Sequence, residues 1–466
     1  MTVQTLPHKS RSSGAVLAVL SASQFLVTLN TSIVNVALPA IGADLHLSSS
    51  ALTWIVNAYL IAFGALLPAG GRLADLFGRR RVFAAGLVLF TAGSIAASIP
   101  AGGALLIAGR AVQGVGAAVL SPAALAILLS VSPAGPARNK ALGVWGAVSA
   151  AGGAAGVLFS GVLTSGLGWW AIFAVSAVIG LPLLLAVPAL VPGDVRRADG
   201  RLDVLGALII TAGLLLLVYG LGRIDWSRPS TTLVAASGLA LLLLLGPVER
   251  RAAEPLVPPV LLHSRSVVVG NVLMLLLGMV WVATFFFLPL YQQRVLGYSP
   301  LVAGVTQLPL AAALMSASTL AGRVKGTLVP GLLLLAGGLV WLARVPVRGG
   351  FLADLLGPTL LIGVGLGLAF VPLTALGVAG VSPDHAGVAG GLINTTRQVG
   401  GALGLAVLTS VAAGATGGGT SPAHLADGYR SALLTASGLV LFTALVAGAY
   451  TAWTRRHSAR PAVASG

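Results

Sequence analysis

The chain has 466 residues, of which 57% are hydrophobic and 8% are charged, and its mean hydropathy is +0.98. This composition excludes a water-soluble globular protein, which could not bury so much apolar surface, and the absence of cysteine excludes disulfides and thiolate chemistry. The formal net charge is +16, but the basic residues form short clusters between apolar runs, which fits membrane orientation better than nucleic-acid binding.

Apolar runs recur along the chain, and each is long enough to cross a hydrocarbon core of roughly 30 Å. We expect an all-α polytopic membrane protein with fourteen transmembrane helices. The predicted spans are 14–38, 51–71, 82–100, 104–130, 140–164, 168–191, 204–222, 231–248, 267–291, 300–320, 328–343, 355–381, 387–412 and 430–453. The first run is too long for the core of a signal peptide, so we interpret it as a retained helix.

The distribution of Lys and Arg supports this count. With a cytoplasmic N-terminus, the cytoplasmic segments hold 20 of the 27 basic residues, the external loops hold 6, and Arg110 lies within a span. An error of one helix would invert the later half of this distribution. The chain is therefore predicted to be a multi-pass protein of the bacterial inner or plasma membrane with both termini in the cytoplasm.

Two similar segments indicate an internal repeat. LPAGGRLADLFGRRR (67–81) follows the second span and TLAGRVKG (319–326) follows the tenth, so a Gly-Arg pair ends a helix in each half. Such repeats are common in secondary transporters. The predicted units are an N-terminal six-helix bundle (14–191), a two-helix insert (204–248) and a C-terminal six-helix bundle (267–453).

The first span carries polar residues on two faces. At 100° per residue, Asn30 lies about 120° from a stripe of other polar side chains and nearer to Ser23. That stripe consists of Gln24, Thr28, Thr31 and Asn35. Both Asn30 and Asn35 are candidates for a substrate cavity, and the helical pattern leaves open which face lines it.

The loop GRLADLFGRRR (71–81) is the most informative segment. Gly71 and Gly78 permit tight turns or close helix approach, and Asp75 can pair with a neighbouring arginine. The segment is a candidate conformational latch on the cytoplasmic side, formed by Gly71, Arg72, Asp75, Gly78, Arg79 and Arg80. The alternative is a basic loop that only sets membrane orientation.

Arg110 is the cation that lies well inside a predicted span. A charge there costs about 2.5–3.5 kcal/mol on insertion scales, which makes it a candidate functional residue. Gln113 lies on the same helical face, and we expect both to contribute to the substrate or coupling cavity. The alternative is a structural arginine bonded to neighbouring amides and carbonyls.

Two later spans supply further candidates for the cavity. Trp281 and Phe285 lie on one stripe of the ninth span, where they could line a cavity for flat rings, face lipid or form an interfacial belt. Arg397 is about ten residues into the thirteenth span beside Asn394, so it could face the cavity or extend to the cytoplasmic interface.

These segments resemble the major facilitator superfamily, and in particular its fourteen-helix drug-efflux branch, the drug:proton antiporters. The likeness runs nearly end to end and includes TSIVNVALPAI (31–41), LTWIVNAYLIAFGALLPAGGRLADLFGRR (52–80), GRAVQGVGAAVLSPAALAIL (109–128), GLGLAFVPLT (365–374) and AGVAGGLINTTRQVGGALGLAVL (386–408). It implies two six-helix bundles around a central cavity, alternating access and proton-driven export. The preference for arginine over lysine and the many Ala, Gly and Leu residues are typical of a GC-rich genome, so we expect an actinobacterial source.

The chain departs from the pattern of this branch at its acids. Asn30 stands where the branch commonly has an acidic residue, and Gly156-Val157 has no proline where the antiporter motif has one. By the predicted boundaries, all eleven acids lie in loops or at span ends. Either the cavity works without a carboxylate, or an edge acid such as Asp354 or Asp75 carries protons, or the span ends lie elsewhere.

The leading hypothesis is a secondary active exporter of small amphipathic compounds, nominally proton-driven. The first alternative is an exporter or uniporter of neutral or anionic metabolites driven by membrane potential or the substrate gradient. An importer of the same fold stays open, because no motif encodes the direction of transport. A membrane-embedded enzyme and an ion channel are less favoured, because no carboxylate or histidine cluster and no repeated pore motif occurs. The expected partners are a small-molecule substrate, the lipid bilayer and, as an open point, protons. We expect a monomer that is not an enzyme, with no cofactor, no metal and no nucleic acid.

Overall fold

The computed structural model describes residues 13–133, 135–193, 203–222, 229–252, 255–256, 259–382 and 386–458. Its helices are α1 (Ser13–Asp44), α2 (Ser49–Phe77), α3 (Arg79–Ser98), α4 (Gly103–Val131), α5 (Pro136–Gly166), α6 (Ala171–Leu190), α7 (Val204–Leu221), α8 (Pro229–Glu249), α9 (Pro259–His263), α10 (Arg265–Arg294), α11 (Pro300–Val305), α12 (Leu308–Ala321), α13 (Leu328–Leu342), α14 (Leu356–Gly377), α15 (Ala386–Thr416) and α16 (Pro422–Ser458). A π-helical segment, Phe351–Leu355, precedes α14. The prediction of an all-α polytopic membrane protein is confirmed.

Thirteen helical segments of the described chain are long and apolar enough to cross a membrane, with α11 and α12 counted together as Pro300–Ala321 and the π-helical segment counted with α14 as Phe351–Gly377. At the predicted eleventh span the structure has a shorter apolar helix of 15 residues, Leu328–Leu342. The predicted count of fourteen spans is therefore not established. The helices also extend beyond the predicted boundaries, since α1 continues to Asp44 and α16 begins at Pro422.

The predicted tenth span is interrupted rather than continuous. It is divided into α11 and α12 at Thr306 and Gln307. Pro309 has no backbone N–H to donate and is accommodated at the start of α12, where that donor is not needed. The Gln292 amide donates to the Thr306 hydroxyl at 3.1 Å, so the break is tied to α10.

The helices pack as two groups with the pair α7 and α8 beside them. Helices α1 to α6 pack against one another, as do α10 to α16, and α7 packs against α8, α2 and α15. The principal contacts between the two groups join α2 to α15 and α5 to α11. We call the groups the N-terminal and C-terminal halves; the predicted unit boundaries at 14–191, 204–248 and 267–453 remain predictions.

The two halves are in close contact at the end that carries the α1–α2 and α10–α11 connections, which we call the predicted external end. The Gln293 side chain donates to the Val36 carbonyl at 2.8 Å, and the Leu301 N–H donates to the Ser165 hydroxyl at 3.0 Å. Gly161 lies at this contact, where a Cβ atom would be 2.7 Å from the Pro300 carbonyl oxygen. The missing side chain is what permits α5 and α11 to touch.

Replacing Gly161 with valine should separate the halves at the predicted external end. The added side chain would overlap the α11 backbone, at a cost of about 1–3 kcal/mol for an overpacked contact. Because the chain has no cysteine, Ser165→Cys/Leu301→Cys can report closure by the rate of disulfide formation. We expect Gly161→Val to slow that rate about tenfold. Gly143→Val on the same helix is the control, because a Cβ at Gly143 meets nothing within 4 Å; equal rates in both variants would contradict the assignment.

Candidate substrate-translocation site

Arg110 is at the centre of a fully buried polar network in the N-terminal half. Its Nε donates to the Ile55 carbonyl at 3.1 Å, and its Nη1 donates to the Asn30 carbonyl at 3.3 Å and to Gln113 Oε1 at 3.0 Å. The guanidinium carbon also lies 4.3 Å from the centre of the Tyr59 ring. The solvent-exposed fraction of Arg110 is 0%, so this cation is held by helices α1, α2 and α4 rather than by water.

Gln113 and Asn30 extend the same network to two more helices. The Gln113 amide donates to Asn30 Oδ1 at 3.2 Å and to the Ser94 hydroxyl of α3 at 2.7 Å. The Asn30 amide donates to the Ser176 hydroxyl of α6 at 2.8 Å. We call Arg110, Gln113, Asn30, Ser94 and Ser176 the Arg110 network. It satisfies amide groups whose burial without partners would cost several kcal/mol each.

The structure separates the two polar faces of α1. Asn30 faces the interior of the N-terminal half and is 0% exposed, whereas Thr28 and Thr31 are half-buried. Gln24, also half-buried, accepts a hydrogen bond from Ser121 at 2.9 Å. Asn35 is buried, and its Oδ1 has no hydrogen-bond partner among the described residues. The partly exposed stripe is therefore the accessible face, and Asn30 lies away from it in this conformation.

Arg397 lies on the segment of α15 that packs against Gly64 of α2, where the two halves are in contact. It is half-buried, and its Nη2 donates to Asn394 Oδ1 at 2.8 Å. Tyr59, also on α2, carries the Arg110 guanidinium over its ring and donates to the Val27 carbonyl of α1 at 3.0 Å. Both placements predicted for Arg397, facing the cavity or extending to the cytoplasmic interface, remain predictions.

Trp281 and Phe285 belong to a half-buried aromatic cluster. The Trp281 ring centre is 6.1 Å from that of Phe285 and 5.3 Å from that of Phe370 on α14. Gly278, three residues before Trp281, packs directly against the backbone of Arg397. Since one helical turn rises about 5.4 Å, the aromatic cluster and the Arg397–Asn394 pair lie on adjacent turns. By contrast, Phe286 and Phe287 are buried within the C-terminal half.

The contact between α2 and α15 contains an amide without partners. Gln398 is 0% exposed, and neither of its side-chain polar atoms has a hydrogen-bond partner among the described residues. Gln398 packs against Gly64 of α2, so closely that a Cβ atom added at Gly64 would lie 2.9 Å from the Gln398 Cβ atom. A buried unpaired amide costs about 1–3 kcal/mol per group. This contact between the halves is therefore packed closely but not optimally satisfied.

The predicted latch residues lie together at the opposite end. Gly78 ends α2 and begins α3 with φ of 95°, a conformation that other residues adopt only with strain. Arg79 pairs with Asp75 at 3.5 Å and donates to the Ala126 carbonyl of α4 at 3.2 Å. Arg80 donates to the Pro188 carbonyl near the end of α6 at 2.9 Å. Both arginines thus approach helix C-termini, where cations are favoured.

The other two latch residues lie near the end of α2. Arg72 is half-buried there. A Cβ at Gly71 would meet the Pro122 side chain at 3.8 Å, an ordinary van der Waals contact, so glycine is not sterically required there. The hydrogen bonds described for Arg79 and Arg80 join α2, α3, α4 and α6. In this conformation they stay within the N-terminal half, and the predicted link between bundles remains a prediction.

Asp75→Asn should slow conformational turnover without unfolding the protein. The exposed Arg79–Asp75 pair contributes little to stability, but its loss alters how Arg79 is held against α4. We expect turnover to fall about tenfold, equivalent to 1.4 kcal/mol in the barrier, and substrate affinity to change less than twofold. Single-turnover and binding measurements distinguish the two effects. Asp427→Asn, an exposed acid at the other end, is the control, and normal turnover in Asp75→Asn would remove the latch.

The described acids lie at helix ends, as predicted. Asp44 ends α1 and accepts a hydrogen bond from the Trp169 indole at 2.8 Å. Asp203 precedes α7, and Glu249, the most buried of the described acids, ends α8. Asp354 accepts from the Gly350 N–H at 2.7 Å outside α14. Five further acids, Asp194, Asp199, Asp225, Glu254 and Asp384, lie outside the described residues.

Two residues of this region were not singled out by the sequence. Tyr59 and Phe370 both lie in segments that carry the family likeness, but their importance depends on partners far away in the chain. Tyr59 packs beneath the Arg110 guanidinium, and Phe370 packs against Trp281. An aromatic residue close to polar residues within an apolar run is a weak signal, since most such residues simply pack.

Comparison with known proteins places the chain among membrane transporters. The family model described as Major Facilitator Superfamily matches residues 20–405. The cephamycin export protein of Amycolatopsis lactamdurans is 40% identical over 396 residues, which cover 82% of each chain. The puromycin resistance protein of Streptomyces alboniger is 39% identical over 80% of this chain and 76% of that protein. The tetracenomycin C resistance and export protein of Streptomyces glaucescens is 34% identical over 80% and 71%.

Solved structures share the fold at low sequence identity. A bacterial homologue of the human lysosomal transporter Spinster, in its inward-facing and occupied conformation, has a TM-score of 0.68 at 16% identity and covers 94% of this chain and 97% of its own. A human organic anion transporter has a TM-score of 0.60 at 17% identity, with coverage of 93% and 99%. The predicted resemblance, including its actinobacterial character, is confirmed by the sequence relatives.

Proposed function

Because the chain belongs to the major facilitator superfamily, we propose that it is a secondary transporter that exports small amphipathic organic compounds, such as antibiotics or secreted metabolites. Relatives whose names state export or resistance support this direction of transport. Export proceeds by alternating access, in which the two halves rock around a site between them. The protein acts as a transporter and not as an enzyme.

The observation that carries this proposal is a half-buried group of side chains on α10, α14 and α15 of the C-terminal half, of which α10 and α15 also contact the N-terminal half. It combines a cation and an amide, Arg397 and Asn394, with the rings of Trp281, Phe285 and Phe370 about one helical turn away. Binding sites for small molecules are mostly apolar with a few placed polar groups. An amphipathic compound with a flat ring and an acceptor or anionic group fits this combination.

The contacts between the halves support an inward-facing conformation. The halves touch through Gly161 and the Gln293–Val36 hydrogen bond at the predicted external end. Toward the other end, Cβ atoms at Gly143 and Gly390 would meet nothing within 4 Å. A substrate would therefore enter from the cytoplasm and leave after this external contact opens. The proposed units remain the two six-helix bundles and the two-helix insert between them.

A second candidate is export or uniport of neutral or anionic metabolites. The observation that favours it is the charge of the site: Arg397 lies between the halves, and the described acids lie at helix ends. An anion leaving a negative-inside cell gains about 2.3 kcal/mol per charge per 100 mV, so it can be expelled without a proton. In this version Asn30, which cannot carry a proton near neutral pH, is a structural amide of the Arg110 network.

The proposal includes a location and a set of partners. The protein lies in the bacterial inner or plasma membrane with both termini in the cytoplasm, as the distribution of Lys and Arg indicates. It acts as a monomer on a small-molecule substrate. Protons are the coupling partner in the leading version and are absent from the second.

A growth-inhibition and efflux panel in an efflux-deficient bacterium tests the export activity. Empty vector and wild type are compared across lipophilic cations, neutral compounds and anions at matched expression. Export predicts that wild type raises the inhibitory concentration, and lowers the accumulation, of several neutral or anionic amphipathic compounds. Increased accumulation of these compounds would indicate import and contradict the proposal.

A further inference from the structure

A groove on the outer surface of the C-terminal half lies between the start of α10 and the end of α16. It has a volume of about 370 Å³ and is lined by apolar side chains together with His263, Arg265, Tyr450 and Trp453. It lies at the predicted cytoplasmic end, far along both helices from the external contact between the halves. The aromatic cluster and the Arg397–Asn394 pair lie deeper along α10 and α15, so the groove is separate from the translocation site.

Arg265 is held in the groove by an aromatic side chain. Its guanidinium carbon lies 5.2 Å from the centre of the Trp453 ring, and the Trp453 ring stacks with Tyr450 at 6.2 Å. Arg265 is exposed, and it makes no hydrogen bond or ion pair with the residues that the structure describes. Because the flat face of the guanidinium packs on the Trp453 ring, its N–H groups can still donate two hydrogen bonds to an oxyanion such as a phosphate.

The walls of the groove fit a lipid chain below that phosphate. Leu262 of α9 and Val268 of α10 line it and are exposed, and Val272, exposed one turn further along α10, continues the apolar surface beyond the groove. Trp and Tyr side chains favour the level of the lipid head groups. The side chains that line the groove include no acid, while Arg456, one turn beyond Trp453, adds a second exposed cation. The cations lie toward the cytoplasm and the apolar side chains lie deeper in the membrane. A phospholipid of the cytoplasmic leaflet has its phosphate and its acyl chains in the same order.

We propose that this groove is a binding site for an anionic phospholipid of the cytoplasmic leaflet, with Arg265 as the ligand of its phosphate and the α10 face as the seat of an acyl chain. Basic pockets between transmembrane helices on the cytoplasmic side bind anionic lipid head groups in this way. The occupant is a membrane lipid and not a transported substrate. The inference therefore stands independently of the proposed export activity.

Native mass spectrometry of the delipidated full-length protein tests the site. The probes are phosphatidylglycerol and phosphatidylcholine with the same acyl chains. We expect phosphatidylglycerol to bind about tenfold more tightly, and Arg265→Gln to reduce its affinity to that of phosphatidylcholine. Trp453→Leu should reduce the affinity for phosphatidylglycerol by a smaller factor than Arg265→Gln does, because it removes the ring that orients Arg265.

Two controls make the result specific. Arg323→Gln removes another exposed arginine at the same predicted end and should leave both affinities within twofold of wild type. Deleting residues 459–466 should also leave phosphatidylglycerol binding unchanged; a tenfold gain would mean that this tail occupies the groove and would overturn the proposal. Equal affinity for the two lipids in wild type, or unchanged phosphatidylglycerol binding in Arg265→Gln, would overturn it as well.

Discussion

Arg397→Gln is expected to abolish protection against anionic compounds while the protein remains folded. The substitution removes the cation that lies between the halves but keeps an amide of similar length beside Asn394. Losing a charge-assisted contact to a bound anion costs about 2–5 kcal/mol, which corresponds to a loss of affinity of roughly 30-fold or more. Neutral compounds, held mainly by the rings of Trp281, Phe285 and Phe370, should lose less than about threefold.

The control for this variant is Arg138→Gln. Arg138 is also half-buried, but it donates only to nearby carbonyls of residues 129 and 132. The Arg138→Gln variant should transport anions normally. Inhibitory concentrations and direct efflux are measured at matched membrane levels, and thermal unfolding of the purified proteins verifies the fold. Normal anion export by Arg397→Gln would remove Arg397 from the substrate site.

Arg110→Ala is expected to lose both transport and stability. The truncation leaves the Ile55 carbonyl, the Asn30 carbonyl and Gln113 Oε1 without their buried donors. The Ile55 and Asn30 carbonyls keep their intrahelical N–H partners, so the polar cost is that of one unsatisfied buried acceptor, about 1–3 kcal/mol. The cavity left by a large, fully buried side chain adds about 2–5 kcal/mol. The melting temperature in detergent should fall markedly, and little protein should reach the membrane.

Two comparison variants distinguish a packing role from a substrate role for Arg110. Arg110→Lys keeps the charge but cannot reproduce three donated hydrogen bonds in one plane, so we expect intermediate stability. Tyr59→Phe keeps the ring beneath the guanidinium and should be close to wild type in stability. An Arg110→Ala protein that melts like wild type but does not transport would contradict the structural assignment and return Arg110 to the translocation pathway.

The fold could be predicted because its main determinants are local. Apolar run length sets the helices, and the Lys and Arg clusters set their order across the membrane. The interruption of the tenth span at Gln307 was missed because Pro309 is compatible with a continuous helix start as well as with a break. The short α13, Leu328–Leu342, shows the limit of counting spans by length.

The candidate site could be predicted only in part, because its geometry depends on distant partners. Helical angle separated Asn30 from the Thr28–Thr31 face of α1 but could not show that Asn30 meets Ser176 and Gln113. The contact of Tyr59 with Arg110 joins α2 to α4, and the packing of the α15 segment around Arg397 against Gly64 joins the two halves. The chemistry of single residues was visible in the sequence, whereas their grouping was not.

Transport in proteoliposomes under separately imposed gradients tests the central claim, that a cationic site between the halves moves amphipathic compounds. Wild type and Arg397→Gln are reconstituted, and an anionic, a neutral and a monocationic compound are followed with a membrane potential, a pH gradient or neither. The account predicts that wild type moves the anion and the neutral compound, and that Arg397→Gln loses the anion flux. A flux driven by the pH gradient supports the proton-coupled version, and a flux driven by the membrane potential alone supports the second candidate. An anion flux that is the same in wild type and Arg397→Gln would contradict the account.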